Sequence, residues 1–328
     1  MFGGVGLGTF PLASPFTAVD HDTAIEVLDA YFDGGWLYLD TAPTYAFGAV
    51  ESLLGEYLAG RPRDEFAIST SCGYVRDGDA FRISGRRDDV RRDMEESLAR
   101  LRLDFVDVYI SHIPDLETPL DETAGALQEL LDDGMARRIG VSNVDAAQLA
   151  QYAAGGNITV VQNRLSYLNR AIDDSLIQEC SRLGADIVAY QVIERGLLTD
   201  RGPVALREGD LRQRKPEFEA QRVQRVRRFV ETRLRPLAAT VGLPLETLAV
   251  RWALGHPGVG LVQQGATTRS QVDALPLRTI ALDPSLREQM DNAYADFETE
   301  LRREGHTSVR AFLGLTDYDV RSGSASGS

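Results

Sequence analysis

Lysine is nearly absent from this sequence: Lys215 is the one lysine among 35 basic residues, which leaves 34 arginines. Cysteine is scarce as well, since Cys72 and Cys180 are the only two. They stand in neither a CxxC nor a Cys/His spacing, so the sequence predicts no disulfide framework and no metal site of that type. A chain of this kind is expected in a reduced, cytoplasmic setting.

Long apolar runs are also missing. None approaches the roughly 20 residues that a membrane helix needs, so we expect no membrane span. The opening stretch MFGGVGLGTFPL has no basic segment and no long apolar one, and we expect no signal peptide. The formal net charge of −14 argues against nucleic acids and anionic membranes as partners. A small-molecule substrate is therefore the expected partner, and a homo-oligomer stays open.

Short apolar runs alternate with amphipathic stretches along the 328 residues. Eight runs predict strands: GVGLG (4–8), WLYLD (36–40), FAIST (66–70), FVDVYIS (105–111), RRIGVS (137–142), ITVVQN (158–163), DIVAYQ (186–191) and VGLVQQ (259–264). The stretches between and after them predict helices over 22–34, 48–59, 87–101, 120–134, 145–153, 172–183, 218–241, 244–255 and 268–276. Eight strands that alternate with helices predict parallel βαβ units closed into a (β/α)8 TIM barrel.

No linker divides the chain. We predict a single barrel domain over residues 1–316 and a disordered Gly/Ser-rich tail over 317–328. A doubly wound dinucleotide-binding fold competes with the barrel, because GVGLG is rich in glycine. A phosphate-binding glycine turn must lead directly into a helix, however, and here TFPLASPF with its two prolines follows instead.

Polar side chains follow the predicted strands at the ends where a barrel carries its chemistry. The third strand ends in a cluster of small polar residues, Ser69, Thr70 and Ser71. Around the same mouth we expect Thr9, Asp40, Tyr45, His112, Ser142, Asn143, Gln162, Asn163, Tyr190, Gln264 and Gly265. A tyrosine hydroxyl and an imidazole in such a place could donate protons to a substrate oxygen or orient it.

The sequence resembles the aldo-keto reductase superfamily in an ordered run of motifs from about Gly4 to about Ala274. These motifs are LDTAPTYAFGAVESLLGEYL, RPRDEFAISTSCG, DFVDVYISHIPD, GMARRIGVSNVDAAQL, VVQN, RGLLT and QQGATTRSQV. The resemblance implies reduction of carbonyls, or oxidation of alcohols or lactols. It also implies NADPH or NADH as the cofactor, bound in extended form at the barrel mouth.

The family uses a catalytic tetrad of Asp, Tyr, Lys and His. The resemblance assigns three of these roles to Asp40, Tyr45 and His112. The lysine should follow the threonine of the third strand, where the family reads Ser-Thr-Lys-x-Gly. This sequence has Ser71 at that position. General replacement of lysine by arginine would predict arginine there, so we expect an altered proton relay with Ser71 in the catalytic position.

Asp40 would then be a buried carboxylate without its usual cation, which is costly unless the group is protonated or hydrogen-bonded. A loop arginine such as Arg76 or Arg195 is a candidate to supply the missing charge. The sequence alone does not choose between these arrangements.

The resemblance also implies a cofactor site. It places Ser142, Asn143 and Gln162 against the nicotinamide carboxamide and Tyr190 against the nicotinamide ring. Thr267 and Arg269 could hold a 2′-phosphate. The complete implied set is Thr9, Ser142, Asn143, Gln162, Tyr190, Gly265, Thr267 and Arg269. The pyrophosphate and adenosine end departs from the family pattern, because Tyr-Ser-Pro-Leu becomes Tyr190-Gln191-Val192-Ile193 and Ile-Pro-Gly becomes Gln263-Gln264-Gly265.

Three functions remain open at this point. The first is an NADP(H)-dependent oxidoreductase with an altered proton relay. The second is a redox-neutral dehydratase, epimerase or lyase that uses Tyr45 and His112 as acid and base. The third is a non-catalytic binding subunit on the same barrel.

Overall fold

The computed structural model describes residues 4–13, 19–35, 37–78, 80–202, 206, 208, 210–275 and 282–315. Ten strands are β1 (Gly4–Gly8), β2 (Tyr38–Asp40), β3 (Ala67–Cys72), β4 (Tyr74–Asp77), β5 (Ala80–Ile83), β6 (Val108–Ser111), β7 (Ile139–Ser142), β8 (Ile158–Arg164), β9 (Asp186–Tyr190) and β10 (Val259–Gln264). Eight of them close into a barrel in the order β1-β10-β9-β8-β7-β6-β3-β2, and β4 pairs with β5 in a separate hairpin. The predicted (β/α)8 barrel is confirmed.

The barrel strands pair in parallel, and closure occurs where β1 pairs with β10. Alternate residues of the strands fill the interior with a compact apolar cluster: Tyr38, Ala67, Val108, Ile110, Val160, Val188 and Leu261. A Cβ at Gly6 would lie 2.8 Å from the Tyr38 ring, so β1 presents glycine where that ring crosses the interior. Above this apolar layer, the same alternation turns polar side chains inward at the carboxyl ends of the strands.

Helices surround the barrel: α1 (His21–Asp33), α2 (Ala49–Leu58), α3 (Arg87–Leu101), α4 (Leu120–Asp132), α5 (Ala146–Gly155), α6 (Asp174–Leu183), α7 (Ala220–Phe229), α8 (Arg235–Thr240), α9 (Leu245–Leu254), α10 (Arg269–Asp273), α11 (Pro284–Arg303) and α12 (Val309–Leu313). Aspartate caps begin several of them, because a side-chain oxygen accepts an otherwise unpaired N–H of the first turn. Asp20 caps α1, Asp173 caps α6, and Asp145 forms a capping box with Gln148 at α5.

Three features differ from the sequence-based expectation. The β4–β5 hairpin follows β3 directly, and α11 and α12 follow the barrel. The predicted helix 218–241 contains a π turn over Val230–Leu234 between α7 and α8. Pro236 at the start of α8 has no N–H to donate to a carbonyl of the preceding turn. The π turn lies where this helical hydrogen bond is missing. Trp36, the end of the predicted domain at residue 316 and the predicted tail 317–328 lie outside the described residues.

No single described helix is long and apolar enough to cross a membrane. The helical run Ala220–Thr240 and the following Leu245–Leu254 pass the length and composition test only as a pair, and they are bent by 80°. Trp252 in the second helix and Phe229 in the first both lie in the hydrophobic core.

A buried ion pair joins two helices beside the site. Glu51 of α2 is completely buried, and it accepts hydrogen bonds from Arg100 Nε at 2.6 Å and from Thr70 Oγ1 at 2.6 Å. Gly55 lets the two helices approach, because a Cβ there would lie 2.2 Å from the Arg100 carbonyl oxygen. The pair therefore ties α2 and α3 to β3, the strand that carries Ser71.

Arg100→Met should lower the free energy of unfolding by about 3 kcal/mol, because it leaves the buried Glu51 carboxylate without its cation. Arg102→Met is the matched control, since Arg102 pairs with Glu56 on the surface at 3.4 Å and its loss should cost less than about 1 kcal/mol. Equilibrium urea denaturation measures both. Equal effects of the two variants would contradict the structural role given to Glu51.

Candidate active site

Asp40 lies at the end of β2, with only 5% of its surface exposed. Its Oδ1 accepts hydrogen bonds from Ser69 Oγ at 2.7 Å and from Gln162 Nε2 at 2.9 Å. Burial raises the pKa of Asp40 to about 6, against the lowering effect of its hydrogen-bond donors. Neutral donors thus occupy the place where a cation was expected.

Neither candidate arginine supplies that cation. The guanidinium of Arg76 lies over the ring of Phe47, 5.1 Å from its centroid. Arg195 donates from Nη1 to Glu217 Oε1 at 2.5 Å. Both guanidinium groups are held by other partners, and the side chain of Asp40 is hydrogen-bonded by a hydroxyl and an amide.

Lys215, the one lysine, lies near Arg195 and Glu217 in the segment after β9. Loss of solvent contact and the neighbouring guanidinium of Arg195 lower its pKa. This cluster contains a second buried carboxylate, Glu194, which binds Arg164 and accepts a hydrogen bond from Ser166 Oγ at 2.6 Å. Lys215 therefore belongs to an ionic cluster at β8 and β9.

Ser71 and His112 form a direct pair at the ends of β3 and β6. Ser71 Oγ lies 3.0 Å from His112 Nδ1. Burial lowers the pKa of His112 to about 4, so the imidazole is neutral at pH 7. The edge of the Tyr74 ring meets this imidazole, with a centroid distance of 5.3 Å. The residue at the expected lysine position thus holds the predicted catalytic histidine.

The side chains predicted to bind nicotinamide are joined to one another. Asn143 has a positive φ of 60°, and its Nδ2 donates to the His112 carbonyl at 2.9 Å and to Ser142 Oγ at 3.1 Å. Tyr190 Oη donates to Asn143 Oδ1 at 2.5 Å, and Ser142 Oγ donates to the Gln162 carbonyl at 2.7 Å. Strands β6 to β9 therefore present one continuous polar surface at the mouth.

Tyr45 begins a 3-10 turn over Tyr45–Gly48 directly after β2. The next two residues, Ala46 and Phe47, both have positive φ, a conformation that is strained for residues other than glycine. The ring of Phe10 meets the Tyr45 ring edge-on at 5.2 Å. Tyr45 is thus placed at the mouth by a strained turn packed against the segment after β1.

Thr9 and Gly265 shape the junction of the first and last barrel strands. Thr9 donates to the Asp40 carbonyl from both its N–H at 2.9 Å and its Oγ1 at 2.7 Å. A Cβ at Gly265 would lie 3.0 Å from Pro11 Cγ, so the absence of a side chain permits this approach.

Thr267 and Arg269 stand apart from the polar network of the mouth. Thr267 pairs with Gln271 through its N–H at 2.7 Å, and Arg269 lies 3.5 Å from Asp33 on the surface. Half of the Arg269 side chain is exposed, at 51%. The predicted 2′-phosphate residues are therefore accessible but do not converge with the nicotinamide end.

Two residues at the mouth were not selected from the sequence as site residues. Ser69 bonds to Asp40, and Gln263 Oε1 accepts from Gln162 Nε2 at 2.7 Å. The available signal was the period of two along a strand, which puts Ser69 on the same side of β3 as Ser71. The same period puts Gln263 on the inward side of β10 with Leu261.

Two buried amides at the mouth have a polar atom without a hydrogen-bond partner in the described structure. These atoms are Gln191 Oε1, after β9, and Gln263 Nε2, on β10. An unmatched buried polar atom costs about 1–3 kcal/mol, and a hydrogen bond from a bound polar ligand would remove that cost. A nicotinamide carboxamide, which carries both a donor and an acceptor, fits this requirement.

A closed parallel barrel with polar side chains gathered at the carboxyl ends of its strands is the architecture of (β/α)8 barrel enzymes. The model of the Aldo/keto reductase family matches residues 4–292. The chain therefore belongs to the aldo-keto reductase family of oxidoreductases, and the resemblance drawn from its motifs is confirmed.

Among its relatives is the NADH-specific methylglyoxal reductase of Escherichia coli (strain K12), 32% identical over 88% of this chain and 94% of that protein. The aldo-keto reductase YhdN of Bacillus subtilis (strain 168) is also 32% identical, over 83% of each chain. A glycerol dehydrogenase structure from Gluconobacter oxydans superposes with a TM-score of 0.78 at 28% identity, covering 89% of this chain and 91% of that one.

Asp40→Asn should change how stability depends on pH. Burial raises the folded-state pKa of Asp40 from 3.8 to about 6, so the folded protein keeps a proton that the unfolded chain has lost. Stability therefore falls as the pH rises through this window, by roughly 3 kcal/mol. Relative to wild type, Asp40→Asn should gain about that much between pH 4 and pH 7 in denaturant unfolding.

The control is Asp64→Asn, on an exposed turn, which should leave the pH profile of stability unchanged. A difference between Asp40→Asn and wild type that stays constant from pH 4 to pH 7 would contradict the raised pKa.

Proposed function

We propose that this protein is an NAD(P)H-dependent oxidoreductase that reduces small carbonyl compounds, or oxidises the matching alcohols or lactols, through an altered proton relay. The observation that carries the proposal is the Ser71–His112 pair, linked through Asn143 to Tyr190 at the barrel mouth. Family membership supports it, as do a methylglyoxal reductase and a glycerol dehydrogenase among the relatives. When bound, NADH or NADPH would supply the hydride for carbonyl reduction, and NAD+ or NADP+ would accept it for oxidation of an alcohol or lactol.

Tyr45 is the proposed proton donor to the substrate oxygen, and His112 orients that oxygen. Because His112 is neutral at pH 7, it acts through a hydrogen bond rather than through charge. When the Ser71 hydroxyl donates to Nδ1, the imidazole proton resides on Nε2 and is available to the substrate oxygen. Ser71 would then select the histidine tautomer that the reaction requires.

Asp40 supports the mouth as a hydrogen-bonded carboxylate rather than as half of an ion pair. Ser69 and Gln162 hold one of its oxygens, and Thr9 holds its backbone carbonyl. The charge of a neighbouring lysine, which would favour the ionised form, is replaced by weaker neutral donors. We expect proton delivery to be slower than with a complete tetrad.

For the cofactor, Ser142, Asn143 and Gln162 are the proposed carboxamide residues, and Tyr190 is the proposed platform for the nicotinamide ring. Their mutual hydrogen bonds fix these side chains before a ligand arrives, which lowers the entropic cost of binding. Thr9 and Gly265 line the junction of β1 and β10, and Thr267 with Arg269 would contact a 2′-phosphate.

A redox-neutral acid/base reaction is the second candidate. The observation that favours it is the neutral surroundings of Asp40. In this reaction Tyr45 and His112 would act as acid and base at the barrel mouth, with no hydride transfer.

Cofactor titration separates the two candidates. We expect NADH or NADPH to bind purified protein with a micromolar dissociation constant, measured by calorimetry, and to support reduction of a panel of small aldehydes. Tyr45→Phe should keep the binding and lose turnover, because it removes only the hydroxyl. Absence of binding at millimolar cofactor would contradict the oxidoreductase proposal and leave the redox-neutral reaction as the better one.

Ser71→Lys should raise carbonyl reductase activity by roughly tenfold or more, since an ammonium group near Tyr45 and Asp40 favours loss of the tyrosine proton. Ser71→Met is the control, because it has similar length, carries no charge and equally removes the hydroxyl from His112. The comparison is kcat/KM at fixed pH for two folded variants. If the lysine variant is no faster than the methionine variant, Ser71 does not occupy the position of a catalytic lysine.

A further inference from the structure

Gln263 occupies an inward position on the last barrel strand. Only 5% of its surface is exposed, and it alternates with Leu261 of the interior cluster. Across β9 it meets Gln162 of β8, 101 residues away in sequence, and its Oε1 accepts a hydrogen bond from Gln162 Nε2 at 2.7 Å. A glutamine here has no counterpart in the motif pattern of the family, so its role must come from its contacts.

The carboxylate of Asp40 determines the orientation of the side-chain amides of Gln162 and Gln263. An ionised carboxylate only accepts hydrogen bonds, so Gln162 must direct its nitrogen at Asp40 Oδ1, and it does so at 2.9 Å. The second N–H of that nitrogen is then free to donate, and Gln263 must offer its oxygen to receive it. The order Asp40, Gln162, Gln263 therefore fixes each amide in one orientation.

With both N–H bonds of Gln162 used, the hydrogen-bonding atom left on its side chain is Oε1. In the described part of the chain, Oε1 of Gln162 accepts no hydrogen bond. This oxygen is not fully buried, so a ligand can reach it. The Gln162 backbone carbonyl is already taken by Ser142 Oγ at 2.7 Å. The mouth thus presents a side-chain acceptor oxygen on β8, and such an acceptor is complementary to an NH2 group.

We propose that Gln263 is a positioning residue for cofactor recognition: by accepting the second N–H of Gln162, it holds the Gln162 oxygen toward the NH2 of the nicotinamide carboxamide. This inference rests on the proposed function. This role uses only Oε1 of Gln263 and makes no demand on its unpaired Nε2.

The test compares three ligands on each protein. The first is the better-binding reduced dinucleotide, and the second is its 3-acetylpyridine analogue, in which a methyl group replaces the carboxamide NH2. The third is ADP-ribose, or its 2′-phosphate, which lacks the nicotinamide ring. Wild type should bind the dinucleotide about two- to tenfold more tightly than the analogue, as one neutral hydrogen bond predicts.

Gln263→Met keeps the length of the side chain but removes the acceptor. In this variant the ratio of the dissociation constants of the analogue and the dinucleotide should fall to about one, while the affinity for ADP-ribose is unchanged. Gln263→Glu keeps an acceptor oxygen and should retain the preference. Gln128→Met, an amide of α4 that bonds to Asp132, is the control and should match wild type. All three dissociation constants come from the same sample, so a reduced folded fraction does not alter their ratio.

Full retention of the preference in Gln263→Met would overturn the inference, and so would an equal loss of affinity for all three ligands. Either result leaves the proposed function standing, because wild type still binds the dinucleotide. Failure of wild type to bind any of the dinucleotides overturns the proposed function, and the role of Gln263 is lost with it.

Discussion

The buried carboxylate of Asp40 is the group on which the arrangement of the barrel mouth depends. It lies at the end of β2 with neutral donors from β3 and β8 around it, and its backbone carbonyl anchors Thr9 after β1. Because this carboxylate only accepts, its neighbours must all turn donors toward it. The orientations of Ser69, Gln162 and, through Gln162, Gln263 follow from that one constraint.

Ser71 and His112 form a second unit that is separate from the Asp40 network in its hydrogen bonds. In this unit a hydroxyl orients a neutral imidazole through a hydrogen bond. A lysine that pairs with the aspartate would instead act through its charge. Asp40 and His112 are thus each held by uncharged hydrogen-bond partners in the described part of the chain. Buried groups of this kind remain stable only when nearly all of their hydrogen bonds are made.

The barrel could be predicted because its information is local: β1 and β10 coincide with the predicted runs at 4–8 and 259–264. Asp40, Ser71 and His112 could be placed at strand ends for the same reason. The β4–β5 hairpin was not predicted although its signal is also local, since Asp77-Gly78 stands at the turn between its two short strands. The contact of Gln162 with Gln263 could not be predicted, because it crosses β9 between residues 101 positions apart and depends on the curvature of the folded sheet.

The near absence of lysine has a practical consequence for Lys215. Its ammonium group lies beside Arg195 and Glu217 after β9, and its lowered pKa increases the fraction of nucleophilic amine at neutral pH. Amine-directed reagents would find one lysine side chain in the whole chain, besides the α-amino group at the terminus. With the α-amino group blocked, a fluorophore or spin label attached to Lys215 would report on the segment after β9 with no need to engineer a cysteine.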